Sequence, residues 1–96
     1  MINSNLGKCI KFLGIESVYI TLSSTANLGR SNKYNISLSG SYPTARFAII
    51  TQTINEDWIT INYNGFSGTN NKTVKTTYHN WYTSTLSGYI HISIFG

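Results

Sequence analysis

The 96-residue chain carries seven basic and three acidic residues, a net charge of +4, and one cysteine. Charged residues make up 10% and hydrophobic residues 41%; a disordered chain has the opposite balance, and a typical soluble domain carries roughly 25% charge. One cysteine excludes an internal disulfide framework, and no apolar run approaches the roughly 20 residues of a membrane-spanning helix.

The missing charge is replaced by twelve Thr, twelve Ser and eleven Asn. Ile, Val, Thr, Tyr, Phe and Trp total 40 residues, against 20 for Ala, Leu, Glu, Lys, Gln, Arg and Met. Side chains of the first group lose rotamer freedom in a helix but pack well on a pleated surface. This length makes one domain, residues 1–96, expected to be all-β. The N-terminus MINSNLGKC lacks the basic stretch and apolar run of a signal peptide.

In chain order, Lys8 to Leu13 reads as a short strand ended by Gly14. Ile15 to Ser24 follows, with Val18, Ile20 and Leu22 on one face. Thr25 to Asn32 is rich in turn formers. Tyr34 to Ser39 alternates Tyr34, Ile36 and Leu38 with Asn35, Ser37 and Ser39, the pattern of a strand with one wet side. Pro43, the only proline, marks a break, since it cannot donate to a sheet ladder. Ala45 to Ile54 is apolar on both sides in its middle and is expected to be a central, buried strand. Asn55-Glu56-Asp57 is a polar turn, and Trp58 to Tyr63 alternates, so these two strands are expected to form a hairpin.

Asn64 to Asn71 reads as the longest flexible loop. Lys72 to His79 reads as a polar edge strand, with Lys72 and Lys75 discouraging unwanted pairing. Asn80 to Ser87 is aromatic and irregular. Gly88 to Phe95 sets Ile90, Ile92 and Ile94 against Tyr89, His91, Ser93 and Phe95, and ties the C-terminus into a sheet. The expectation is an antiparallel β-sandwich or jelly-roll-like barrel of seven or eight short strands.

The catalytic inventory is nearly empty, and the expected function is not enzymatic. The carboxylates are Glu16, Glu56 and Asp57. Glu56 and Asp57 are adjacent in a turn, where neighbouring side chains point apart and cannot work as a paired acid and base. No G-x-S-x-G elbow or glycine-rich phosphate loop occurs. His79, His91 and Cys9 are too few for a structural zinc site within one chain. A symmetric oligomer would gather one His91 per subunit on its axis, but a solvent-facing histidine is the simpler reading. No cofactor or metal is expected. The sequons Asn35-Ile-Ser and Asn71-Lys-Thr are what chance gives in so Asn-rich a chain. The seven basic residues are scattered, unlike the one-sided patch of a nucleic-acid binder, so no nucleic acid is expected. Ordinary surface charge is the simpler reading, and weak attraction to an anionic surface such as acidic polysaccharide the lesser one. Without a long apolar run, no membrane insertion is expected.

The densest local feature is aromatic. Tyr78, Trp81 and Tyr82 lie within five residues, beside His79 and Asn80. Aromatic rings stack on apolar faces of sugars, and Asn and His supply hydrogen bonds beside them. Tyr78, His79, Asn80, Trp81 and Tyr82, extended by Tyr63, are the candidate ligand-binding residues. For Trp81 the favoured reading is a core plug at one end of the domain, with a surface or interface role as the alternative. Trp58 opens a strong strand and reads as structural.

An Asn/Ser/Thr/Tyr-rich β domain with little charge, no disulfide and the terminal strand SGYIHISIFG resembles the C-terminal head domains of bacteriophage tail fibres and receptor-binding proteins. The resemblance implies a homotrimer at the virion surface, at a fibre tip, that recognises a host surface glycan. It also implies that these 96 residues are the C-terminal piece of a longer chain. The alternatives are a trimerisation or capping domain without a ligand, and a carbohydrate-binding module of a larger enzyme.

Overall fold

A computed structural model of the chain describes residues 10–55 and 57–96. It contains six strands: β1 (Phe12–Leu22), β2 (Asn32–Ser37), β3 (Phe47–Gln52), β4 (Ile59–Ser67), β5 (Thr73–Asn80) and β6 (Leu86–Phe95). The described residues include no helix, and so none long and apolar enough to cross a membrane. The strands form two antiparallel three-stranded sheets, ordered β1-β6-β3 and β2-β5-β4.

Alternation explains the strands and the core together. Along β6, Ile90, Ile92 and Ile94 are fully buried, while Tyr89, His91, Ser93 and Phe95 face the other way. Ile20 and Leu22 of β1 and Ala48 of β3 join them from the same sheet. The second sheet contributes Ile36, Ile59, Val74 and Tyr78, and the connecting segments add Leu38 and Ile54. Both sheets therefore turn their inner faces to one core. Each fully buried Ile or Leu contributes about 1.5–3 kcal/mol to folding.

The outer faces differ in character. On the β1-β6-β3 sheet, the register sets Phe12, Phe95 and Phe47 in one row and Ile15, Ser93 and Ile49 in the next. Then come Ser17, His91 and Thr51, and then Tyr19 beside Tyr89. Phe47 stacks on Phe95 at 5.1 Å, Phe12 meets Phe95 edge-on at 5.7 Å, and Tyr19 meets Tyr89 at 5.2 Å. The outer face of the β2-β5-β4 sheet is polar: Lys33, Thr77 and Asn62 share a row, and Asn35 lies beside Lys75.

Several expectations are corrected. There are six strands among the described residues, not seven or eight. The two expected N-terminal strands merge in β1, which passes through Gly14 with a register shift between Phe12 and Gly14. Lys8 and Cys9, and Glu56 of the expected turn, lie outside the described residues. β3 is an edge strand with Ile49 exposed, and β5, expected at an edge, is the centre of its sheet. β3 and β4 form no hairpin, because they belong to different sheets. The hairpin is β4–β5, and its first strand runs on through Ser67, into the segment expected to be a loop.

One edge of β1 is tied to the segment after β2 by a carboxylate. Glu16 Oε1 accepts from Ser39 N (2.8 Å) and Ser39 Oγ (3.0 Å), and Oε2 accepts from Gly40 N (2.9 Å) and Tyr42 OH (2.7 Å). Burial on its own raises the Glu16 pKa, but the bonds from Tyr42, Ser39 and Gly40 outweigh it and hold it below the ordinary value. Tyr42 is pushed up to about 12, by its bond to Glu16 first, then by burial and by the Glu16 charge.

Candidate functional site

The aromatic residues expected to bind divide by strand parity. Along β5, Val74, Thr76, Tyr78 and Asn80 point inward, and Thr73, Lys75, Thr77 and His79 point outward. Tyr78 is therefore core, packed edge-on against Tyr34 at 6.3 Å. Asn80 is fully buried, and no ligand reaches it. Tyr63 lies half-buried against Phe66 at 5.6 Å, in the row of Thr76 and away from the Trp81 end; burial raises its pKa.

Asn80 builds the platform rather than forming its surface. Its Nδ2 donates to Leu22 O and Ser84 O, both at 3.0 Å, and its Oδ1 accepts from Tyr82 N at 3.0 Å. Asn80 N donates to Thr25 Oγ1 at 2.9 Å, and Thr25 N returns a bond to Asn80 O at 2.9 Å. Ser24 Oγ donates to Tyr82 O. The connection from Trp81 to Thr85 is thus held by bonds to β1 and to the segment after it. A buried amide with its donors and acceptors satisfied fixes a turn firmly.

The aromatic rings stand on this base. Trp81 is 50% exposed and lies flat on the His79 ring, with centroids 4.4 Å apart and planes 4° apart. Tyr82, 40% exposed, packs on Trp58 at 5.4 Å. Trp81 N donates to Trp58 O at 2.7 Å, which joins the two aromatic segments. Trp58, read as structural, is itself 40% exposed and belongs to this surface. The core-plug reading of Trp81 is not what the fold adopts.

The protein has two concave features near this sheet, one of them beside the rings. A cleft of about 370 Å³ opens between β3 and β4, lined by Ile50, Thr51, Gln52 and Ile59 to Ile61. Thr60 of that cleft is the cross-strand neighbour of His79. Gln52 Nε2 donates to Ile59 O at 3.1 Å, while its Oε1 is buried without a partner, as is Nδ1 of His79. Buried polar atoms of this kind are uncommon.

Further along the same sheet, a depression of about 430 Å³ is lined by Lys33, Asn35, Asn64, Lys75, Thr76 and Thr77. A bulge makes it: the register shifts between Tyr63 and Gly65, and Gly65 takes φ +112°, a backbone state that side chains disfavour. Asn64 is the extra residue. From Lys75 to Trp81 is six residues, about 20 Å of strand.

Sequence reasoning did not find Lys33, Asn35, Asn64, Gln52 or Thr60. They come from three different strands, and only sheet pairing assembles them. His91, the other histidine, is on the opposite sheet, with Nδ1 2.7 Å from Ser17 Oγ. Among the described residues, no three of His, Cys, Asp and Glu are grouped as a metal site would require. No family model matches the chain, and neither does any curated protein or solved structure.

Proposed function

We propose that this chain is a non-catalytic recognition domain, a tail-fibre or adhesin head that binds a cell-surface saccharide at the Trp81 end of the β2-β5-β4 sheet. The observation that carries this reading is the Trp81 ring: half-exposed, laid flat on His79 and fixed through its backbone. A large apolar ring kept in water forgoes burial energy of about 1.5–3 kcal/mol if it has no partner. A rigid flat ring has little entropy left to lose when a sugar face stacks on it. The adjoining cleft brings Thr60 and Thr51 within the same region, with Gln52 among its lining residues. That is the mixture of apolar platform and few polar groups found in ligand sites.

The strand winding supports the reading by analogy of fold. β1 pairs with β6, β2 with β5, and β3 and β4 run on into different sheets. We read this as a six-stranded jelly-roll form of the β-sandwich, an architecture used by lectin and viral coat domains. Fold alone does not assign function. For the described carboxylates, Glu16 is engaged by four hydrogen bonds and Asp57 sits exposed in a turn, which favours binding over catalysis. In the fibre setting the domain sits at the virion surface.

A glycan array probed with the whole chain tests the proposal, followed by titration of the best ligand against Trp81→Ala. Loss of a stacked ring costs roughly 1–3 kcal/mol by analogy with base stacking, or about five- to 150-fold in affinity. Unchanged affinity with Trp81→Ala, or an array with no signal, counts against the site.

A further inference from the structure

The structure has one exposed surface that the saccharide site leaves unused, the outer face of the β1-β6-β3 sheet. Phe12, Ile15 and Tyr19 on β1, Ile49 on β3 and Tyr89 on β6 are 58%, 58%, 59%, 52% and 51% exposed. All five lie on this face, around the Phe12–Phe95–Phe47 contacts described above. None of its strand positions holds a charged residue. Monomeric domains rarely expose an apolar patch of more than a few hundred Å², and larger ones mark interaction sites.

We infer that this face is covered by the same face of a second copy of the chain. Charge is the first argument. An occupant gains nothing here from charged groups and would have to desolvate them, so it must be flat, apolar and neutral. The chain presents such a surface, and a two-fold axis brings it onto itself with every contact made twice.

Area is the second argument. Half of the roughly 150–250 Å² that a large side chain can bury comes to about 500 Å² over the five residues. Phe47, Phe95, His91 and the small polar residues between them raise this to about 700 Å². A standard interface needs about 800 Å² per partner. Among the polar groups at the centre, His91 Nδ1 already lies within 2.7 Å of Ser17 Oγ. Two such sheets pack face to face about 10 Å apart. The contact leaves Trp81 and the lysine-lined depression on the far sheet open, so it is independent of the saccharide reading.

The test is sedimentation equilibrium of the whole chain from about 1 to 100 μM, a range that detects micromolar association. The wild type is expected to self-associate. Ile49→Lys and Tyr89→Lys each place a charge within the face, and each is expected to raise the dissociation constant by tenfold or more, the effect of burying an unpaired charge. Asn35→Lys, on the opposite sheet, is expected to leave association unchanged. Should a lysine variant unfold by circular dichroism, Ile49→Thr with Tyr89→Thr replaces it, again with weakened association expected. A wild type that stays monomeric throughout overturns the inference. So do folded face variants that associate as the wild type does, or an Asn35→Lys variant that dissociates as readily as they do.

Discussion

Replacing Glu16 by Gln tests how the edge of β1 is anchored. The carboxylate takes two donors on each oxygen: the Ser39 amide and hydroxyl on Oε1, and the Gly40 amide and Tyr42 hydroxyl on Oε2. Glutamine has one carbonyl oxygen, so whichever way it turns, two donors meet an NH2 group. Hydrogen bonds to a charged acceptor contribute about 1.5–3 kcal/mol each. The site is partly open to water, which replaces some of this, so about 2 kcal/mol in total is expected, toward the low end. For a domain of this size that lowers Tm by roughly 8–16 °C. Thermal melts followed by circular dichroism would measure it.

The pH dependence is the sharper part of the same test. The folded pKa of Glu16 lies below the ordinary 4.5, so its stabilisation is present above that value and is lost as pH falls toward the depressed one. Tyr42 is the mirror case. Its pKa rises from 10.0 to about 12, so its contribution is present below 10 and is lost as pH climbs toward 12. The wild type should therefore lose stability at both extremes, and Glu16→Gln should be flatter at both. The gap in Tm between the two proteins should narrow as pH is lowered from about 7 to about 3. A variant that melts within about 2 °C of the wild type at neutral pH, or a gap that does not change with pH, would falsify the account.

Two further outcomes are expected. Asn80→Ala removes three side-chain bonds and leaves Leu22 O and Ser84 O without a donor, so urea denaturation should show a loss of about 2–4 kcal/mol; a loss under about 1 kcal/mol would mean that water takes over the role. Lys33→Gln with Lys75→Gln should weaken retention on an acidic polysaccharide such as polygalacturonate, in affinity electrophoresis, more than retention on neutral dextran. Equal retention of variant and wild type on both would show that the lysines of the depression do not attract the polyanion.

Strand identity was legible in the sequence where one side of a strand is dry and the other wet. The alternation in Tyr34 to Ser39 and in Gly88 to Phe95 foretold β2, β6 and the burial of Ile36, Ile90, Ile92 and Ile94. Strand position was not legible. FAIITQ is apolar on both sides, which reads as a strand buried between layers. Its outward residues, Phe47 and Ile49, instead belong to an apolar outer face, and local sequence does not distinguish the two cases. TVKTTYHN reads as an edge because it is polar. Yet a central strand needs only paired backbone on both sides and one inner face, and Thr76 and Asn80 are buried there with hydrogen bonds to Tyr34 O, Leu22 O and Ser84 O.

The aromatic segment was visible, but its division was not. The parity of β5 extends one residue beyond the expected strand and turns Asn80 inward with Tyr78. Trp58 was out of reach for another reason. It lies 23 residues before Trp81 in the chain and meets that segment only in the fold, through the backbone bond from Trp81 N and the packing of Tyr82 on its ring.

The place of β6 has a consequence for how the protein is made. It is the last of the six strands in chain order, and it lies between the first and the third. During synthesis, β1 and β3 leave the ribosome with no partner, each carrying apolar side chains on both surfaces. The β2-β5-β4 sheet has all its strands by Asn80, but the other waits for residues up to Phe95. Folding therefore finishes only after the final strand is free, with contacts dominated by distant pairs, and is expected on the millisecond-to-second scale of such topologies. Until then two apolar strands are exposed, and the nascent chain is expected to be prone to aggregate.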